Sequence, residues 1–265
     1  MLEAKTQEGA ETGAAGHTPR RKSAPQAKQP VCIVLHQEHS NPGHVGQWFV
    51  RNGYKLDIRK PRYGDPLPQT LENHCGAVIF GGPMSANDKD AFICAETEWI
   101  GVALKEDKPF FGICLGAQML ANHLGAKVGF HPEEIAEIGY YPLVTTADGV
   151  PFGTFPGHVY QWHREGFDLP LGGELLAEGD SFPVQAFRYG GPAYALQFHP
   201  DVTHAMMCRW TTRGHERMLL PNAKPRIAHF ADRAVYDPAG RAWLAAFLNH
   251  WLGQTENGHQ QSAIG

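Results

Sequence analysis

The run Gly112-Ile113-Cys114-Leu115-Gly116 sets a thiol between small residues, directly after the apolar stretch Phe110 to Ile113. That stretch reads as a buried strand, and Ala117 to Leu124 reads as a helix closed by Gly125. A nucleophile at a strand-to-helix turn is held in a strained backbone conformation, so its neighbours must be small. Its side chain then stands clear of the C-terminal strand edge, where ligands bind in open α/β sheets. The N-terminus of the following helix points at the sulfur and favours thiolate, the reactive form. The Leu115 N–H is left free to face an oxyanion. Alone, the motif also fits a buried cysteine with two packing glycines.

Two further segments complete a chemical set. Gly81-Gly82-Pro83 follows the apolar run Ala77 to Phe80, and glycines there let the backbone approach a ligand and present N–H groups. Gln197-Phe198-His199-Pro200-Asp201 ends another apolar run. A thiol nucleophile needs a base, and the base needs an acceptor to orient it. Two residues apart in extended backbone, His199 and Asp201 project to one side. Alone these segments are a tight turn and a surface turn. With the elbow cysteine they make nucleophile, amide donors, base and orienter.

These groups must be carried by a sheet. Strands are expected at Val31 to Leu35, Lys55 to Arg59, Ala77 to Phe80 and Phe110 to Ile113, alternating with helices ending near Arg51, Glu106 and Leu124. This rhythm argues for an α/β fold: a flavodoxin-like, open, mostly parallel sheet with helices on both faces. After Gly125, short strand-like runs among glycines and prolines (Gly139 to Val144, Glu174 to Ala177, Val184 to Arg188) argue for added antiparallel strands in the C-terminal half. Ala193 to Phe198 is expected to return to the main sheet. Trp243, Leu244, Phe247, Leu248 and Trp251 mark one face of a last helix, read as core packing. Residues 1–29 are too poor in large apolar groups to fold and are expected to form a disordered tail; 30–252 form one domain; 253–265 are expected to be a flexible C-terminus.

The 265 residues carry a formal net charge of -4, which gives no general drive toward nucleic acid or an anionic membrane. No apolar run is long enough to cross a bilayer, and the start lacks a secretory h-region, so a cytoplasmic location is expected. Five cysteines, an odd number without a CxxC pair, argue against a disulfide framework and a structural zinc site. His36, His39 and His44 lie close together without a thiolate or carboxylate at ligand spacing, so neither metal nor cofactor is expected.

From Val31 to Trp251 the chain resembles the class I glutamine amidotransferases, in particular standalone relatives of the glutaminase domain of GMP synthase. The resemblance rests on Gly81-Gly82-Pro83, Gly112 to Gln118 and Gln197 to Asp201, in that order. It implies Cys114 as nucleophile, His199 as general base and acid, Asp201 as orienter, and the Gly82 and Leu115 amides as oxyanion hole. It also implies substrate contacts by Gln118 and, in a loop from Gln161 to Pro170, by His163 and Glu165. Asp201 stands where the family has Glu, one methylene longer, and Glu165 stands where Asp is usual. The implied activity is hydrolysis of the glutamine side-chain amide through a γ-glutamyl thioester. No GxxxxGK[ST] loop and no Ser-Gly-Gly-x-Asp-Ser loop is present, so ammonia would pass to a separate synthetase partner. Alternatives are a γ-glutamyl peptidase acting without a partner, and a non-catalytic binding or regulatory protein on the same fold.

Overall fold

In the computed structural model, which describes residues 27–261, the apolar run after Pro30 forms strand β1 (Val31–Val34). Its side chains alternate between two cores, as a strand requires. Val31 and Ile33 pack with Phe49, Phe247 and Trp251; Cys32 and Val34 pack with Ile100 and Leu120. The helices that supply those partners therefore cover opposite faces. Helices α1 (Gly43–Arg51) and α5 (Arg226–Gln261) lie on one side, and α2 (Ala91–Lys105) and α3 (Leu115–His123) on the other.

Strands β2 (Leu56–Arg59), β3 (Gly76–Ile79) and β4 (Phe110–Ile113) pair in parallel around β1 in the order β2-β1-β3-β4. The C-terminal half adds β5 (Val128–Phe130), β6 (Glu137–Pro142), β7 (Val144–Thr145), β8 (His158–His163), β9 (Glu165–Phe167), β10 (Gly173–Glu178), β11 (Ala186–Tyr189) and β12 (Ala193–Leu196). β12 returns to the main sheet beside β4 and parallel to it, as expected from its apolar run. β11, β10 and β7 then extend the sheet antiparallel to eight strands, while β5–β9 and β6–β8 form two small antiparallel sheets. Helix α4 (His204–Arg213) follows, opened by Thr203, whose hydroxyl accepts from the Met206 N–H at 3.3 Å.

The structure modifies the reading of one segment. The segment from Gln161, expected as a loop, is the end of β8 and the whole of β9. Its Gln and His residues look solvent-directed in sequence, yet both are buried: Gln161 Nε2 donates to Gln185 Oε1 at 2.7 Å and His163 Nε2 contacts Glu137 Oε2 at 3.1 Å. The expected tail lies outside the described residues up to residue 26; beyond it, Lys28 Nζ sits 4.4 Å over the Tyr54 ring and Gln29 Nε2 donates to the Glu72 carbonyl at 3.0 Å. At the other end α5 runs on to Gln261, and residues 262–265 lie outside the described residues.

One consequence of the strand order matters most. β3, β4 and β12 are consecutive and parallel, so their C-terminal ends share one edge. Gly81-Gly82, Cys114 and His199 follow those three ends and are delivered to the same place.

Candidate active site

Cys114 joins β4 to α3 with φ 51° and ψ −104°, in a region that non-glycine residues rarely occupy. The turn is over-determined by its surroundings. The Cys114 N–H donates to the Leu196 carbonyl at 2.8 Å, and its own carbonyl accepts from the Gln118 N–H at 3.0 Å. A side chain on Gly112 would meet the Gly116 carbonyl oxygen at 2.5 Å, and one on Gly116 would strike the Ile79 carbonyl. The small residues read in the sequence are thus demanded by close backbone approach. As the first helical residue, Leu115 has an N–H with no intrahelical acceptor.

His199 sits beside Cys114: a Cβ built on Gly81 would lie 3.4 Å from both Cys114 Cβ and His199 Nε2. Nδ1 donates to Asp201 Oδ1 at 3.1 Å, which leaves Nε2 for Cys114. The distance is at the long end of the normal range, consistent with the shorter Asp side chain. The backbone holds the ring as well: the His199 N–H donates to the Tyr160 carbonyl at 2.8 Å, and Trp210 packs edge-on at 4.8 Å between ring centres. Burial disfavours charge on His199, but negative charge at Cys114 and Asp201, with the hydrogen bonds to both, overrides it and pushes the pKa up to about 10. The imidazolium is therefore held across the neutral range. Glycine is needed opposite: a Cβ on Gly81 would lie 2.6 Å from His199 Cε1.

Gly82, Cys114, His199 and Asp201 line one cleft of about 280 Å³. No protein group among the described residues accepts from the Gly82 N–H. The arrangement sets a thiol and an imidazole beside unengaged amide donors.

A class I glutamine amidotransferase family model matches residues 40–209, more than half of the chain. This chain belongs to that family. It is 31% identical over 184 residues to the glutamine amidotransferase-like protein YfeJ of Salmonella typhimurium, covering 65% of this chain and 76% of the relative. It is 32% identical over 158 residues to a glutamine-hydrolyzing GMP synthase subunit of Ignicoccus hospitalis, covering 58% and 79%. A solved glutamine amidotransferase from Thermotoga maritima superposes with a TM-score of 0.76 at 30% identity, covering 84% of this chain and 97% of that one.

Within this amidotransferase frame, the residues expected at the substrate are brought together with each other and are not among the residues that line the cleft. The Gln118 side-chain amide donates to the Glu165 carbonyl at 2.9 Å and to Gln197 Oε1 at 3.2 Å. His163 Nδ1 donates to the same carbonyl at 2.9 Å, while its Nε2 contacts Glu137 Oε2 at 3.1 Å. Glu165 Oε1 accepts from the Ser85 hydroxyl at 3.1 Å. This network ties α3 to β9 and β12.

The cleft wall holds residues that sequence reasoning passed over. Trp162 and Trp210 flank the catalytic edge; Arg209, Arg213 and Arg217 line the outer part. The available signal was Thr203, a helix cap announcing an extra element after the His-Pro-Asp motif. His36, read with His39 and His44 as a histidine run, instead pairs with distant Glu96 at 2.7 Å, both fully buried.

Among the described residues one group has ligand atoms close enough for a metal: Cys32, Asp57 and His74, all within 4.8 Å. Arg59 already engages both carboxylate oxygens of Asp57, at 2.7 and 2.9 Å, and burial pushes the Cys32 thiol up to about 12. A guanidinium and a retained thiol proton both oppose a cation there. No helix among these residues is long and apolar enough to cross a membrane.

Proposed function

We propose that this chain is a cysteine amidohydrolase that cleaves the side-chain amide of glutamine. The observation carrying this reading is that His199, hydrogen-bonded to Asp201, lies against Cys114 in one cleft beside the unengaged Gly82 and Leu115 amides.

The Cys114 thiolate attacks the side-chain carbonyl carbon, and the carbonyl electrons move to oxygen. The Gly82 and Leu115 N–H groups donate to that oxyanion. Such a donor is worth about 10²–10³ in rate. The imidazolium Nε2–H of His199 protonates the amide nitrogen, the C–N bond breaks, and ammonia leaves a γ-glutamyl thioester. Water then gives a proton to Nε2 and attacks the thioester; the C–S bond breaks to free glutamate and the thiolate. Asp201 keeps Nδ1–H directed away from the sulfur, so the reacting nitrogen is Nε2 in both halves. The name of the Ignicoccus relative, which places it within GMP synthase, supports ammonia delivery to a separate synthetase.

The arginines favour a second reading. Arg213 and Arg217 have no acidic partner among the described residues and line the same cleft as Cys114. A cationic rim suits a γ-glutamyl compound whose leaving group carries a carboxylate. Glutamate release from glutamine and from a γ-glutamyl dipeptide, with ammonia measured alongside, separates the readings. Cys114→Ala is expected to abolish both reactions and leave the fold intact; undiminished turnover in that variant rules out the mechanism.

A further inference from the structure

We infer that His36 and Glu96 are positioning residues that fix the Gly81–Gly82 peptide as an oxyanion donor from within the chain. The inference rests on the amidohydrolase reading above and concerns how its donor is aimed.

His36 follows β1 and Glu96 lies in α2, sixty residues apart, and both side chains are fully buried. His36 Nδ1 lies 3.1 Å from the Gly81 carbonyl oxygen, and Nε2 lies 2.7 Å from Glu96 Oε2. The ring also backs the peptide sterically, since a Cβ on Gly82 would meet His36 Cβ and Cγ at 3.1 Å. In a trans peptide the C=O of one residue and the N–H of the next point opposite ways. A Gly81 carbonyl anchored on His36 therefore turns the Gly82 N–H away from His36, toward the cleft that Gly82 and Cys114 share.

The proton inventory explains why the carboxyl group is present. A carbonyl only accepts, so Nδ1 must carry a hydrogen. A lone neutral imidazole has one proton and could hold it on Nε2, which would set a lone pair against the Gly81 oxygen and release the peptide. The 3.1 Å contact of Nδ1 with the carbonyl requires a hydrogen on Nδ1, and the 2.7 Å contact of Nε2 with Glu96 then requires a second hydrogen shared by that nitrogen and the carboxyl group. Either Glu96 is a carboxylate accepting from Nε2–H of a doubly protonated ring, or it is an acid donating to Nε2. Both arrangements keep Nδ1–H on the carbonyl. Glu96 Oε1 has no partner, so the side chain serves the imidazole alone. Two glycines in sequence could rotate freely, and this buried pair removes that freedom.

The test uses the isolated full chain and two reagents for Cys114. A glutamine-shaped chloroketone reacts through a tetrahedral adduct whose oxygen needs the donor; iodoacetamide displaces iodide directly and does not. Glu96→Leu is expected to lower kcat about 10²–10³-fold, the worth of one oxyanion donor, with KM within about threefold. Chloroketone inactivation should slow in parallel, with iodoacetamide labelling unchanged. Glu96→Gln, whose amide can donate to Nε2 and so keep Nδ1–H in place, should restore most of the lost rate. The inference is overturned if Glu96→Leu keeps wild-type kcat, if both reagents slow equally, or if Gln fails to rescue. A wild type that hydrolyses no γ-glutamyl amide, but shows the same separation between reagents on Glu96→Leu, would overturn the proposed reaction and support the positioning role. A wild type inert to the chloroketone would overturn both.

Discussion

Gly81→Ala tests the geometry of the site with a single methyl group. The Cβ of alanine would lie 2.6 Å from His199 Cε1, about 0.8 Å inside the 3.4 Å at which ordinary contact begins, and only 3.4 Å from Cys114 Cβ. The imidazole cannot retreat cheaply. Trp210 packs against it, Asp201 holds Nδ1 at 3.1 Å, and its backbone N–H is bonded to Tyr160. The ring must therefore tilt by nearly an ångström, which takes Nε2 out of line with both sulfur and leaving nitrogen. A misplacement of about 1 Å in a reacting group costs on the order of 10² in rate. Steady-state glutamate release from glutamine is expected to fall about 100-fold in kcat with little change in KM. Gly157→Ala is the control, because a Cβ there meets nothing within 4 Å. A Gly81→Ala enzyme within threefold of wild type would show that His199 is not held where the structure has it, and the mechanism would lose its base.

Asp201→Asn removes a negative charge that raises the His199 pKa, so the imidazolium is lost earlier on the alkaline side. The alkaline limb of kcat/KM, expected near pH 10 in the wild type, should move to lower pH in a pH–rate profile; an unmoved limb would exclude this pairing. The stability contribution has the same sign. A histidine raised from an ordinary 6.5 to about 10 stabilises fully below 6.5 and loses that contribution as pH rises through 10, so wild-type thermal stability should decline across this window and the Asn variant should decline sooner. Trp251 is fully buried between Phe49 and Phe111, with ring centres at 6.2 and 6.0 Å, and Trp251→Ala should cost about 3–5 kcal/mol in urea unfolding. A loss below about 1 kcal/mol would mean that α5 does not close this face of the sheet.

The elbow cysteine, the glycine loop and the His-Pro-Asp segment were legible as a set because each is a local pattern with a backbone cause. Gly112 and Gly116 are small because neighbouring backbone leaves no room, and His199 and Asp201 face one way because they are two residues apart. The covered, mostly parallel sheet was legible in outline for the same reason: apolar runs such as Val31 to Val34 and Ala193 to Leu196 can be satisfied only inside a covered sheet. What a polar side chain does once placed was not legible. Gln118 and Glu165 were expected at the substrate, and the fold joins them to each other across forty-seven residues. His36 looked like part of a histidine run, and its partner is sixty residues away on helix α2. A hydrogen bond is decided at about 3 Å, a distance that spacing along the chain does not control. Sequence by itself determined which groups could react; only tertiary packing decided which of them face the cleft and which face one another.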